Sequence, residues 1–139
     1  MPTCTAADRD NPILVSRGGY YLACGPGSAL VKFKGTTYRM KGSKCFISSK
    51  GARLHFGAER LNRPLPPPLN ALYLVVEPNR NGAVDVSDGG VDLASGLRAA
   101  IIGKAQATNS LRRGTFTIFG HVGNGQTHSR RFMGSWHCG

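Results

Sequence analysis

Apolar and polar residues alternate with a period of two along much of this chain. Val31 and Phe33 alternate with Lys32 and Lys34; beyond Gly35-Thr36-Thr37, Tyr38 and Met40 alternate with Arg39 and Lys41. Successive side chains of an extended strand point to opposite faces, so this stretch predicts a hairpin with one apolar and one basic face. Residues 44–47 and 53–56 predict two further strands around a turn at 48–51. The run ALYLVV at 71–76 is the most apolar and predicts a strand covered on both sides. Short strands are expected at 83–86 and 91–93, with Ser87-Asp88-Gly89-Gly90 between them. Residues 97–102 fit a strand or one helical turn, and 104–108 alternate again with Ala105 and Ala107 on one side. Two closing strands, 115–122 and 130–138, flank a turn rich in Gly, Asn and Gln. Pro64, Pro66, Pro67 and Pro68 remove ladder donors, so 61–69 reads as a rigid crossover rather than a proline-rich ligand.

These elements predict an all-β fold, an antiparallel sandwich-like domain stapled by a disulfide. With 139 residues the chain is one domain by length, and 19 Gly with 8 Pro favour many short strands over long helices. We place the domain at 29–139, preceded by an extension or linker over 1–28 that ends in Cys24-Gly-Pro-Gly-Ser28.

Charge changes the picture most. Lys and Arg number 18 against 7 Asp and Glu, a formal net charge of +11. The distribution is uneven: residues 98–131 hold Arg98, Lys104, Arg112, Arg113, Arg130 and Arg131 and no acid, while acids gather at Asp8, Asp10, Glu77, Asp85, Asp88 and Asp92. Such a balance attracts polyanions: nucleic acid, lipid headgroups or acidic cell-wall polymers. The contact residues expected first are Lys32, Lys34, Arg39 and Lys41, and next Arg112, Arg113, Arg130 and Arg131.

Chemistry-bearing constellations are sparse. His55, His121, His128 and His137 have no GxSxG elbow and no plausible orienting acid near them in sequence, so no catalytic residue is assigned and no enzyme is expected. Asp85, Asp88 and Asp92 lack the spacing and bidentate Glu of an EF-hand loop, and His137-Cys138 has no second ligand pair, so no metal or other cofactor is expected. The glycines of 120–125 follow a strand without opening a helix, which excludes a phosphate loop. Phe33, Tyr38, Phe56, Phe116, Phe119 and Trp136 could stack bases, which keeps an intracellular nucleic-acid-binding β-domain as a rival reading. A carrier of a small ligand or lipid between sheets is a third.

Cys4, Cys24, Cys45 and Cys138 show no CxxC spacing; an even, scattered set in a small β-rich chain reads as disulfides in an oxidising compartment, with three connectivities open. The one signal-peptide-like stretch, 11–23, is interrupted by Arg17-Gly18-Gly19. Tyr21-Leu22-Ala23-Cys24 faintly resembles a lipobox, which makes Cys24 a candidate lipid anchor.

Several segments together resemble the mycobacterial lipoprotein antigen family, the LpqH-like lipoproteins. They are Val31-Lys-Phe-Lys-Gly-Thr-Thr-Tyr38, Gly42-Ser-Lys-Cys45, Leu54-His-Phe-Gly57, Ala105-Gln-Ala-Thr108, Gly114-Thr-Phe-Thr-Ile-Phe-Gly120 and the run from Phe132 to Cys138. The resemblance implies an all-β extracytoplasmic domain without an active site, displayed on the cell envelope. It also implies that Cys45 pairs with Cys138, and Cys4 is expected to pair with Cys24. Family members carry a lipidated cysteine and are not strongly basic, so the cationic surface is a departure. The function expected is that of a non-enzymatic secreted or envelope-associated protein, an interaction, adhesion or antigen domain binding an anionic surface or polymer: lipid headgroups, a cell-wall polymer or a host surface.

Overall fold

The structure, a computed structural model, describes residues 3–60, 70–121 and 129–139. The proline-rich crossover at 61–69 and residues 122–128, which hold the end of the strand expected at 115–122 and most of the turn expected after it, lie outside the described residues. After a turn of 3-10 helix at Ala7–Asp10 come β1 (Val15–Arg17), β2 (Tyr20–Leu22), β3 (Ser28–Phe33), β4 (Thr36–Lys41), β5 (Ser43–Ile47) and β6 (Ala52–Arg60). They are followed by β7 (Ala71–Glu77), β8 (Gly82–Asp92), β9 (Arg98–Thr108), β10 (Arg113–His121) and β11 (Ser129–His137).

All pairings are antiparallel. From β6 to β11 each strand pairs with the next, β11 then pairs with β3, and β3 with β4. Strand β4 runs through Gly42 into β5, and β5 pairs with β6. The sheet therefore closes on itself, with β4–β5 acting as one bent strand that serves β3 with its first half and β6 with its second. Gly42 makes the bend: its N–H donates to Gly27 O at 2.9 Å, and its own carbonyl accepts from Gly57 N–H at 3.1 Å. Both glycines have positive φ, +98° and +80°, and a Cβ on either would fall 2.0 Å from a carbonyl oxygen, of Ala23 and Asn70 respectively. No other residue type fits either position without moving backbone.

Alternation then decides what lies inside. Ala52, Leu54 and Phe56 of β6, Leu72, Leu74 and Val76 of β7, Ile101 of β9, Phe116 and Ile118 of β10 and Phe132 and Trp136 of β11 fill the interior with Val31 and Met40. The architecture is all-β and antiparallel, as the alternation predicts, and the facing layers of its core are opposite walls of one closed sheet. The segments expected as separate strands at 83–86 and 91–93 belong to a single β8, whose register with β9 shifts between Val86 and Gly90. Residues 97–102 and 104–108 likewise merge in β9, with Ala105 and Ala107 buried.

Cys45 is bonded to Cys138, with 6.2 Å between Cα atoms, and Cys4 to Cys24, at 5.7 Å. These bridges indicate an oxidising, extracytoplasmic environment. The Cys24 sulfur is held by Cys4, so it is not free to carry the lipid that the lipobox-like stretch suggested. Beside the first bridge the buried Ser43 Oγ accepts from Gly27 N–H (2.9 Å) and donates to Cys138 O (3.3 Å), joining three distant segments.

Residues 3–27 are folded onto the closed sheet. The β1–β2 hairpin extends β6 through β2, and Val15, Tyr20, Leu22, Cys24 and Ala58 form a second small core. Arg17 donates to the Asp8 carboxylate at 2.6 Å and Thr5 N–H donates to it at 2.7 Å; these bonds, Arg17's first, hold the Asp8 carboxyl well below its ordinary range. The short segment 25–27 is bonded to Ser43 rather than loose. Among the described residues no helix is long and apolar enough to cross a membrane.

Candidate anion-binding face

Strands β9, β10, β11, β3 and β4 lie side by side, and their outward positions fall in register rows. One row runs Lys104, Thr117, Met133, Lys32, Thr37; the next runs Gln106, Thr115, Ser135, Leu30, Arg39; a third runs Thr108, Arg113, His137, Ser28, Lys41. Ile102, Phe119 and Arg131 begin a fourth. At about 4.8 Å between strands and about 7 Å between like-facing residues, the face measures about 20 Å each way. None of the five strands contains an Asp or Glu. Lys32, Arg39, Lys41, Lys104, Arg113 and Arg131 are exposed on it. Lys104 has a partner at the border, Asp85 of β8.

A shallow groove of about 480 Å³ runs through the middle, lined by Lys32 and Lys104 with Gln106, Thr115, Thr117 and Ser135. Ammonium groups thus stand among amide and hydroxyl donors, the set that oxygen anions require. Exposed apolar side chains border it: Ile102 (52% exposed), Phe119 (41%) and Met133 (44%).

The two groups of cations expected from sequence are thus partly one. Pairing of β11 with β3 brings Arg131 onto the same face as Lys32, Arg39 and Lys41, and pairing of β10 with β11 adds Arg113. Three expected residues lie elsewhere. Lys34 sits in the β3–β4 turn with φ +49°, because Lys34 and Gly35 form the two-residue connection; its Nζ is 5.5 Å from the Phe33 ring centroid. Arg130 has the inward parity of β11 at the sheet's rim, its guanidinium 6.0 Å from the same ring. Arg112 lies in the β9–β10 turn and donates to Gly139 O at 3.3 Å. Sequence reading missed Lys104, Gln106, Thr115, Thr117 and Ser135; their parity was visible in the alternation, but only the register places them beside Lys32.

Ser28 Oγ and His137 Nε2 are hydrogen-bonded at 2.8 Å, a contact between residues 109 positions apart. Their neighbours in the row are Lys41 and Arg113, so the imidazole has a cationic setting rather than an orienting carboxylate. The acidic residues of β8 are dispersed: Asp85 binds Lys104, Asp88 accepts from Gly89 N–H at 2.8 Å, and Asp92 binds Arg60. Among the described residues no group of three His, Cys, Asp or Glu is placed to hold a metal ion. No protein-family model, curated protein or solved structure matches the chain.

Proposed function

We propose that this is a non-enzymatic secreted or cell-envelope protein that holds an anionic polymer or surface on the face formed by β9, β10, β11, β3 and β4. The observation that carries the reading is the absence of any carboxylate from five adjacent strands that expose six cations. A surface of one sign over about 20 Å concentrates polyanions and speeds their capture. Gln106, Thr115, Thr117 and Ser135 add hydrogen bonds to sulfate, phosphate or carboxylate oxygens, and Ile102, Phe119 and Met133 give apolar contact at the border. The two disulfides support the extracytoplasmic placement.

The nucleic-acid reading relied on the positive charge and on six aromatics, of which Phe56, Phe116 and Trp136 are buried in the core, Phe33 and Tyr38 are half-buried, and Phe119 is exposed. The carrier reading relied on a cavity between layers, where Phe56, Phe132, Leu72, Leu74, Ile101 and Ile118 are packed. The test is retention on a sulfated-polysaccharide column and sedimentation with phosphatidylglycerol vesicles at about 0.15 M salt. The oxidised protein is retained by at least one of the two, and the variant K32E/R39E/R131E elutes early from both with unchanged melting temperature. Equal retention of the triple variant would remove the face from consideration.

A further inference from the structure

A second concavity, of about 320 Å³, lies over β6, β7, β8 and β9, with Leu14 and Tyr21 of the N-terminal segment on its border. That segment is tethered there: Lys44 Nζ donates to Asn11 O, and Cys4 is bonded to Cys24. The groove differs from the basic face in both shape and charge.

His55 and Tyr73 line this groove with their rings, and Phe46 supports His55 from outside it. His55 stacks on Tyr73 with centroids 4.5 Å apart, and Phe46 meets His55 edge-on at 6.0 Å. The register continues from His55 and Tyr73 to Gly90 and Ala100. One side of the Tyr73 ring is therefore covered by His55, while the strand positions beyond it carry no side chain larger than a methyl group. A Cβ placed on Gly90 would have only the Ala99 carbonyl near it, at 3.7 Å, which shows how open the ground is there. Burial, with help from Arg53, pushes the His55 imidazole down to about 4, so this ring is uncharged at neutral pH.

The polar lining is charge-balanced. Glu59 and Arg98 both line the groove, and Asp92 is bound at 2.8 and 2.6 Å by Arg60. Glu59 and Asp92 line the groove with Arg98, and Arg60 neutralises Asp92, on a protein whose net charge is +11. An anion gains nothing here that the basic face does not offer more strongly. A groove that joins an uncovered aromatic ring to one strong acceptor and one strong donor suits a ligand with an apolar flat face and a rim of hydroxyl groups. The volume lies near the lower end of the range for small-ligand sites, roughly 300–1,000 Å³.

We propose that this groove binds an uncharged pyranose unit of a glycan, its C–H face against Tyr73 and its hydroxyls donating to Glu59 and accepting from Arg98. The site is independent of the anion-binding face and gives the protein a second, neutral specificity.

The test uses the full-length oxidised protein and saturation-transfer NMR with maltohexaose, cellohexaose and mannohexaose, followed by calorimetric titration of whichever binds. Ring C–H protons of at least one glycan receive saturation. Tyr73→Leu, which removes the ring the sugar packs on and keeps an apolar stem, and Glu59→Gln each weaken binding about tenfold, the scale of one lost aromatic or charged hydrogen-bond contact. The variant K32E/R39E/R131E binds the same glycan unchanged. The proposal is overturned by no transfer to any of the three glycans at millimolar concentration. It is equally overturned if Y73L and E59Q leave the affinity intact, or if adenosine binds and none of the glycans does.

Discussion

Removing the Cys45–Cys138 bridge with C45A/C138A tests whether the closed sheet depends on it. The bridge ties β5 to the residue after β11, across a sequence separation of 93. Loop-closure entropy for that separation is worth about 4.5 kcal/mol at 25 °C, against about 3 kcal/mol for the separation of 20 at Cys4–Cys24. Cys138 is buried and Cys45 packs against the main core, so alanine also removes some apolar contact without leaving an unpaired hydroxyl. A loss of about 4–5 kcal/mol approaches the whole stability of a small domain, about 5–15 kcal/mol. The assay is urea unfolding of wild type, C45A/C138A and C4A/C24A, followed by far-UV circular dichroism and by fluorescence of the buried Trp136. The expected order of loss is C45A/C138A above C4A/C24A, by about 1–2 kcal/mol. If C45A/C138A loses less than C4A/C24A, the bridge does not constrain the unfolded chain as reasoned, and closure rests on the sheet alone.

Two further outcomes are expected. Arg60 and Asp92 are buried together, with Arg60 Nε and Nη2 donating to the two carboxylate oxygens. D92N leaves the guanidinium without its counter-charge and lowers stability by about 3 kcal/mol, read as a fall of roughly 10 °C in melting temperature; a fall under about 2 °C contradicts the buried pairing. His55 gives a pH dependence. Its folded value, about 4, lies below the unfolded 6.5, so the unfolded chain takes up the proton first. The stability of the neutral form is fully present above pH 6.5 and is lost as pH falls from 6.5 towards 4, by about 1–2 kcal/mol once solvent screening of this partly exposed ring is allowed for. Urea midpoints of wild type decline across that window, and those of H55N do not; parallel declines would assign the effect elsewhere. Asp8 acts in a lower window, because its unfolded value is 3.8 and the folded one lies below it.

Local pattern was enough for much of the fold. The β3–β4 hairpin, the apolar β7, the alternating β6 and the paired closing strands follow from side-chain parity, which depends only on neighbouring residues. Lys32, Arg39 and Lys41 were legible as one basic edge for the same reason. Lys34 was misplaced because a two-residue connection puts its first residue in a left-handed conformation, and nothing in the alternation distinguishes the last strand residue from the first turn residue. The break predicted within β9 did not occur, because both neighbours supply a partner to Gly103, Val86 of β8 and Ile118 of β10; β8 is carried through Asp88, Gly89 and Gly90 by its pairing with β7, while its register with β9 shifts there.

Sequence by itself determined the all-β class, the faces of the individual strands, the oxidising compartment and the excess of positive charge. Tertiary structure alone decided that the sheet closes through Gly42, that β11 lies beside β3, and hence that Lys104, Lys32 and Arg131 share a face while Arg112 and Arg130 do not. It also decided that the N-terminal segment borders the groove beside His55 and Tyr73. The physical reason is range: parity and charge are properties of adjacent residues, whereas register joins residues about a hundred positions apart, such as Ser28 and His137, through hydrogen bonds between backbones that carry no sequence signature of their own.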